Sequence, residues 1–307
     1  MYKRSHLAVL VFLVAGLVHN VPADGDPSNR TTPAARIVAI GDLHGDIDAT
    51  RGALKLAGAI DDEDRWIGGN LVVVQTGDQI DRGDDDREVL DLLTRLAHEA
   101  SRAGGALYAL NGNHELMNGA LDLRYASTAI LADFAEFDTV GNDEDTLLVD
   151  LPLEQRGRAE AFRPGGPYAR VLARRNVIMI VGDNVFVHGG VLPDHVDYGI
   201  ERINEEVQAW LRGDAACPEG IHERTSPTWT RSYSDEVDAD DCEMLQDVLE
   251  TLDAKRMIVG HTVQEDGITS YCDGRVWCID VGMSAYYGGR IQVMEIVGDS
   301  IRVLTPN

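Results

Sequence analysis

The sequence predicts an α/β domain, and three features of the chain indicate it. Short apolar, β-branched runs typical of buried strands recur at 37–40, 71–74, 106–110, 177–181, 185–187 and 257–259. Segments with helical periodicity, 48–57 and 86–103, lie between the first three runs. Polar blocks containing glycine follow most of the runs, which is where α/β domains place their binding sites.

The N-terminal residues are typical of an export signal. Lys3 and Arg4 precede an apolar stretch at 7–18, and small residues at 21–23 suit cleavage before Asp24. The stretch is too short to span a bilayer. We expect an exported protein, periplasmic or secreted, without stable membrane insertion once the signal is removed. An uncleaved anchor or a buried helix is the alternative.

The rest of the chain is expected to follow the signal peptide (1–23) as a polar linker (24–35) and one large domain (36–307), although two small domains remain an option. The segment 116–174 is rich in Ala, Leu and charged residues, which predicts a mainly helical structure. Turn signals at Gly182-Asp183-Asn184 and Asp273-Gly274 predict hairpins, and 290–304 alternates around a Gly-Asp turn. The later sheet should therefore be mixed.

Net charge and cysteine content limit the partners and the compartment. The formal net charge of −25 predicts a surface that repels nucleic acid and anionic membranes. The acidic runs 61–64 and 84–86 are interpreted as solvated loops rather than calcium sites. Four cysteines in an exported chain make disulfides plausible.

Three pairings of these cysteines exist. A two-residue turn at Asp273-Gly274 would put Cys278 opposite Thr269, so Cys272 and Cys278 would be near neighbours rather than facing partners. We favour Cys272 with Cys278 and Cys217 with Cys242, and free buried thiols are the alternative.

Five short blocks carry the chemistry: Gly-Asp-Leu-His-Gly-Asp (41–46), Gly-Asp-Gln-Ile-Asp-Arg-Gly (77–83), Gly-Asn-His-Glu (112–115), Val-His-Gly-Gly (187–190) and Gly-His-Thr (260–262). Aspartate oxygens and histidine nitrogens suit first-row metals such as Mn, Fe and Zn. Two such ions can share one bridging carboxylate. Each tetrapeptide alone is a weak signal, but five in this order are a strong one.

The order and spelling of the blocks resemble the calcineurin-like metallophosphoesterases, and within them the phosphoprotein phosphatases. The runs 77–118 and 279–284 are similar to the Shewanella-like branch. The resemblance implies a β-sandwich of mixed sheets flanked by helices. It also implies hydrolysis of phosphoserine, phosphothreonine or phosphotyrosine, or of a small phosphomonoester, by a metal-activated water.

Matched position by position, the resemblance implies two metal sites that share Asp78. The first would be held by Asp42, His44 and Asp78, and the second by Asp78, Asn113, His188 and His261. Each ligand has a glycine close by in the sequence, because a backbone that wraps two ions leaves little room for Cβ atoms.

Four further residues match catalytic positions of that family. His114 resembles the general acid that protonates the leaving oxygen, with Asp81 orienting its imidazole. Arg82 matches a phosphate-binding arginine, and its planar fork suits two phosphate oxygens. Arg231, in Ser-Pro-Thr-Trp-Thr-Arg (226–231), resembles a second one. The alternatives are a loop cap for Asp81 and a surface arginine beside an aromatic ring for Arg231.

Positions at which this chain departs from the family pattern limit the range of expected substrates. Gln79 and Ile80 stand where eukaryotic members carry Tyr or Val, so their substrate grooves are not transferable. Val263 occupies the position where phosphodiesterases have a second histidine, which favours a monoesterase.

A dinucleoside-polyphosphate hydrolase is a rival function, although that group lacks an aspartate at position 81. A second rival function is a protein that binds metal without catalysing any reaction. The groove walls are expected at 116–128 and 284–289.

Overall fold

The computed structural model describes residues 28–138, 148 and 150–306. Within them, two mixed sheets pack face to face, and helices cover both outer faces. This confirms the predicted fold class. The predicted signal peptide and the first residues of the predicted linker lie outside the described residues, so both remain predictions.

The five-stranded sheet has the order β11-β10-β2-β3-β4. Strands β2, β3 and β4 run parallel to one another, and β4 lies at one edge of the sheet. Strand β10 pairs with β2 in the antiparallel direction, and β11 pairs with β10 in the same way. The strands are β2 (Ile37–Ile40), β3 (Val72–Gln75), β4 (Ala106–Ala109), β10 (Val293–Val297) and β11 (Ser300–Leu304). The strands predicted at 37–40, 71–74 and 106–110 are present within one residue of their expected bounds, and the alternating segment 290–304 forms the β10–β11 hairpin.

The six-stranded sheet has the order β1-β5-β6-β7-β9-β8. Its strands are β1 (Arg30–Thr31), β5 (Ile178–Val181), β6 (Asn184–Val187), β7 (Arg256–Val259), β8 (Thr269–Tyr271) and β9 (Val276–Cys278). Pairs β5–β6 and β8–β9 are antiparallel, whereas β6–β7 and β7–β9 are parallel. The sheet is therefore mixed, as predicted. Strand β1, within the predicted linker, pairs with β5 and was not expected.

Helices connect the strands, and several begin with a side-chain cap. The helices are α1 (Ile47–Leu56), α2 (Asp86–Arg102), α3 (Asn113–Gly119), α4 (Thr128–Asp133), α5 (Leu153–Phe162), α6 (Pro167–Leu172), α7 (Pro193–Tyr198), α8 (Ile200–Arg212) and α9 (Ala239–Thr251). The Asp46 carboxylate caps α1 by accepting a hydrogen bond from the Ala49 amide. The largely helical character predicted for 116–174 holds for its described part.

Alternation along the strands divides the apolar side chains among three layers. In β2, Ile37 and Ala39 face the interior between the sheets, whereas Val38 and Ile40 face the helices α1 and α2. In β6, Phe186 faces the interior between the sheets. Both faces of these strands are covered, so their ends, rather than their faces, are left to form a site.

The disulfide prediction was wrong. The structure joins Cys242, in the first turn of α9, to Cys272, at the end of β8, and leaves Cys217 and Cys278 free. The register was predicted correctly, because Cys278 pairs with Thr269. Cys278 lies opposite Thr269 in the hairpin rather than opposite Cys272. Cys272 instead bonds to Cys242 on helix α9. That placement is a tertiary feature without a local signal.

Two other features concern charge and membranes. Asp61 and Asp62 form ion pairs with Arg65 and Lys55 at the surface, as expected for a solvated run. Asp86 departs from this expectation, because it is completely buried. Among the described residues, no helix is both long and apolar enough to cross a membrane.

Candidate metal centre

The predicted ligands lie where five strands end. Asp42, Asp78 and Asn113 follow β2, β3 and β4 of one sheet, and His188 and His261 follow β6 and β7 of the other. Because the strands within each set are parallel, their carboxyl ends meet at the same edge of the sandwich. All six predicted ligands are buried, with exposed fractions of 8% or less.

Asp78 lies at the middle of the cluster. Its Oδ2 is 3.9 Å from His44 Nε2 and 3.2 Å from His188 Nε2. Asp42 approaches on the His44 side, where its Oδ2 is 3.9 Å from His44 Nε2. Asn113 approaches on the other side, where its Oδ1 is 2.9 Å from His188 Nε2. Asp78 therefore lies between two groups of potential ligand atoms, and its role as a shared ligand stays a prediction.

Ligand atoms within 4.8 Å of one another form two groups of three, His44–Asp78–His114 and Asp78–His188–His261. The second group agrees with the predicted second site. The first includes His114, whose Nε2 is 3.8 Å from Asp78 Oδ2. Distance alone would therefore admit His114 as a ligand, and its predicted role as the acid depends on its other contacts.

Two of the histidines have their tautomers fixed by backbone carbonyls. His44 Nδ1 lies 3.2 Å from the Ile80 oxygen, and His188 Nδ1 lies 3.0 Å from the Thr76 oxygen. A carbonyl only accepts, so each Nδ1 carries the hydrogen. The Nε2 atoms of both rings therefore point into the cluster, and as neutral imidazoles they would present Nε2 to a metal, as in histidines that bind metals.

The protonation states also suit a metal site. Burial lowers the pKa of His44 to about 3 and that of His261 to about 2, so both rings are neutral near pH 7. His261 Nε2 is buried and has no hydrogen-bond partner among the described residues. Such a lone pair is costly to bury unless a cation takes it up.

The carboxylates show the same need for positive charge. Burial, together with Asp280 and Asp78, raises the pKa of Asp42 well above its usual range. Burial alone would raise the pKa of Asp78, but His188 and His114 hold it well below its usual value. Burial raises the pKa of Asp280 to about 6. A buried group of acids stays ionised only beside cations, so these residues fit a pair of metal ions.

The backbone at the centre adopts conformations that few residues tolerate. His44, Asp78 and His261 have positive φ angles of 46°, 55° and 66°. A Cβ at Gly112 would lie 2.3 Å from Asp78 Oδ1, and one at Gly260 would lie 2.4 Å from Asp42 Oδ1. Only glycine fits these two positions, which confirms the predicted need for small residues beside the ligands. Strain of this kind clusters at functional sites.

Glu115 holds the loop that carries Asp78. Its carboxylate accepts hydrogen bonds from the amides of Asp78 (2.8 Å), Gln79 (2.8 Å) and Gly112 (2.7 Å). Two of the five blocks are thereby joined through one buried side chain. Glu115 belongs to the block 112–115 and Asp280 to the run 279–284, but no role was predicted for either residue.

His114 and Asp81 form a buried pair. His114 Nδ1 lies 2.7 Å from Asp81 Oδ2. Burial would lower the pKa of His114, but Asp78 and Asp81 raise it above its usual value. Because Nδ1 is engaged by Asp81, Nε2 is the atom that can deliver a proton. The contact is the one that the predicted acid pair requires, and the roles of His114 and Asp81 stay predictions.

Arg82 lies among three tyrosine rings. Its guanidinium carbon is 5.0 Å from the Tyr125 ring centroid, 5.4 Å from that of Tyr286 and 5.2 Å from that of Tyr287. Tyr287 also lies 5.4 Å from His44, and Tyr125 lies 5.0 Å from His114. We call these three side chains the tyrosine rim. They belong to the two segments predicted as groove walls, although the residues themselves were not predicted.

Arg231 reaches the centre from the 226–231 segment. Its Nη1 donates to the His261 carbonyl oxygen (3.0 Å) and to Thr262 Oγ1 (2.7 Å). The segment itself is fixed to the loop after His188, because the Gly189 and Gly190 amides donate to the Pro227 oxygen. Arg231 is thus an exposed side chain that lies beside the second predicted metal site, and its role in binding phosphate stays a prediction.

Comparisons of sequence identify the family. Residues 35–265 match the model of the calcineurin-like phosphoesterase family. The chain is 42% identical over 304 residues to Shewanella-like protein phosphatase 2 of Arabidopsis thaliana, covering 89% of this chain and 78% of that protein. It is 29% identical over 261 residues to Shewanella-like protein phosphatase 1 of Plasmodium berghei, covering 82% and 68%.

Comparisons of structure agree on the fold. A cold-active protein tyrosine phosphatase superposes with a TM-score of 0.73 at 24% identity, covering 90% of this chain and 77% of that one. A protein serine/threonine phosphatase from Saccharomyces cerevisiae gives 0.58 at 13% identity, covering 91% and 83%. With the sequence matches, these findings show that the chain belongs to the calcineurin-like phosphoesterase family, as a Shewanella-like phosphatase and a metal-dependent phosphoester hydrolase.

Proposed function

We propose that this chain is an exported phosphoprotein phosphatase that uses two metal ions to hydrolyse phosphomonoesters. The observation that carries the proposal is that Asp78 lies between His44 on one side and His188 and His261 on the other. When bound, two ions would activate a water and neutralise charge on the phosphoryl group. Mn, Fe and Zn all suit this mixture of oxygen and nitrogen ligands.

The side chains of this protein divide the remaining work. Asp42, His44 and Asp78 would hold one ion, and the shared Asp78 with Asn113, His188 and His261 would hold the other. His114 Nε2 would give its proton to the leaving oxygen, while Asp81 keeps the ring oriented. Arg82 and Arg231 would bind the phosphate oxygens from two sides.

The tyrosine rim supports phosphotyrosine as the preferred substrate. The rings of Tyr125, Tyr286 and Tyr287 are partly exposed and lie beside Arg82. A phosphotyrosine ring could pack against them while its phosphate reaches the arginine, whereas a phosphoserine side chain is shorter and offers no ring. The relatives named protein phosphatases support a phosphorylated protein as the substrate.

The specificity can be tested with the metal-loaded protein from Asp24 onward. We expect phosphate release from phosphotyrosine peptide to be fastest, phosphothreonine peptide to be slower, and a bis-aryl phosphodiester to be slowest, because Val263 supplies no second histidine. Equal catalytic efficiency on mono-aryl and bis-aryl phosphates would contradict the monoesterase assignment. Preference for a dinucleoside tetraphosphate would favour the rival hydrolase, and binding of phosphate esters without release would favour a protein without turnover.

Export is proposed from the N-terminal pattern and is supported by the Cys242–Cys272 disulfide, because such bonds persist in oxidising compartments. We expect the mature protein to begin at Asp24 and to be recovered outside the cytoplasm. The check is N-terminal sequencing of protein from fractionated cells. An intact Met1 on protein that remains in the cytoplasmic fraction would contradict the proposal.

A further inference from the structure

Arg158 is a completely buried arginine on α5, behind the candidate site. Its guanidinium carbon is 5.2 Å from the Phe134 ring centroid and 4.9 Å from that of Phe162. The side chain has no exposed surface. Burying an arginine is unfavourable unless its charge is paired, so its partners indicate why it is there.

Those partners lead directly to the acid pair. Arg158 Nη2 lies 2.8 Å from Asp81 Oδ1 and 2.7 Å from Asp86 Oδ2. Arg158 Nε donates to Asn118 Oδ1 at 2.8 Å. Asn118 in turn donates through Nδ2 to Asp81 Oδ2 at 3.0 Å and to the His114 carbonyl oxygen at 2.9 Å. Arg158 therefore contacts Asp81 directly and also through two other side chains.

The network leaves Asp81 only one orientation. Arg158 occupies Oδ1, so that Oδ2 is left for His114 and Asn118. The Asp81 amide donates to both carboxylate oxygens of Asp86 at 3.0 Å. This holds Asp81 and Arg82 at positive φ angles of 68° and 74°, which non-glycine residues rarely adopt. The same turn thus carries the partner of the acid and a phosphate-binding arginine.

We propose that Arg158 is a positioning residue for the reaction, which fixes the Asp81 carboxylate so that His114 Nε2 is directed at the leaving oxygen. The inference depends on the proposed function, because it requires His114 to act as the acid. Arg158 touches no substrate and no reacting atom. A residue needed only for stability would have the same burial, so the test must report on proton donation itself.

The readout is the dependence of kcat on the pKa of the leaving group, measured over a series of aryl phosphates. Arg158→Met should resemble the wild type with the best leaving group and fall behind by about 10²-fold with the poorest, the size of effect expected for a misplaced catalytic group. Arg256→Met is the matched control. Arg256 is also buried but pairs with Asp299, remote from the acid, so the wild-type slope should be kept.

A double-variant cycle tests whether Arg158 acts through Asp81. Arg158→Met should add no further steepening to Asp81→Asn, because the group that it orients is already impaired. Since Arg158→Met removes the arginine that both Asp81 and Asp86 contact, Arg158→Met with Asp86→Asn serves as a second variant with less uncompensated charge. Circular dichroism and metal content verify that the variants measured are folded and loaded.

The outcomes separate the inference from the proposed function. A steep slope for His114→Asn with a wild-type slope for both folded Arg158 variants would overturn the positioning role alone. Further steepening in the Asp81→Asn background would also overturn it, because Arg158 would then act by another route. A wild-type slope for His114→Asn would refute the acid assignment, and the positioning role with it.

Discussion

Asp78→Asn is expected to abolish turnover and to lower metal content, because Asp78 is the ligand that both proposed metal sites share. Asparagine keeps the oxygen that accepts the His114 amide at 3.0 Å, so the backbone contact is retained. The shared negative charge is lost, and charge stabilisation of several kcal/mol goes with it. We expect kcat/KM to fall at least about 10³-fold, since each 1.36 kcal/mol is a factor of ten.

The measurement is phosphate release together with elemental analysis of the same samples. Asp62→Asn is the control, since Asp62 is an exposed partner of Lys55. Full activity with both metals retained in Asp78→Asn would refute the site assignment.

His114→Asn should keep both metals and lose rate, by about 10²- to 10⁴-fold for a lost general acid. The loss should shrink as the leaving group improves, because an acidic phenol departs without protonation whereas an alkoxide does not. Asp81→Asn should show the same trend more weakly, because the ring stays in place but loses its orienting carboxylate.

The decisive comparison uses phosphoserine peptide against an aryl phosphate with an acidic phenol. His98→Asn is the control for loss of an imidazole, because His98 is exposed on α2. Loss of metal in His114→Asn would assign the residue to the first metal site, as the 3.8 Å approach to Asp78 allows. An unchanged ratio between the two substrates would exclude the acid role.

Much of the fold could be predicted from short stretches of the sequence. The runs at 37–40 and 177–181 are short, apolar throughout and rich in β-branched residues, which favours strands that are covered on both faces. Strand β1 escaped prediction because Arg30 and Thr31 have no apolar pattern and depend on pairing with β5. The Cys242–Cys272 bond was missed for a similar reason, because helix α9 and the β8–β9 hairpin are adjacent only in space.

The site was predictable where chemistry fixed the residue type at a strand end. Asp42, Asp78 and His188 each have an adjacent glycine and follow an apolar run, and this combination is visible in the sequence. Arg158 offers no such signal, because it acts on Asp81 from 77 positions away and its helix also contains Arg156. The tyrosine rim is similarly assembled from two segments that meet through the fold.

Reconstitution of the metal-free protein from Asp24 onward tests the central claim most directly. Chelated protein should release no phosphate from phosphotyrosine peptide, and titration with Mn²⁺ should restore activity until two ions are bound per chain. The bound metal and the rate should be measured on the same samples. Full turnover after complete removal of metal, or saturation of activity at a single ion per chain, would contradict a hydrolase built on two metals that share Asp78.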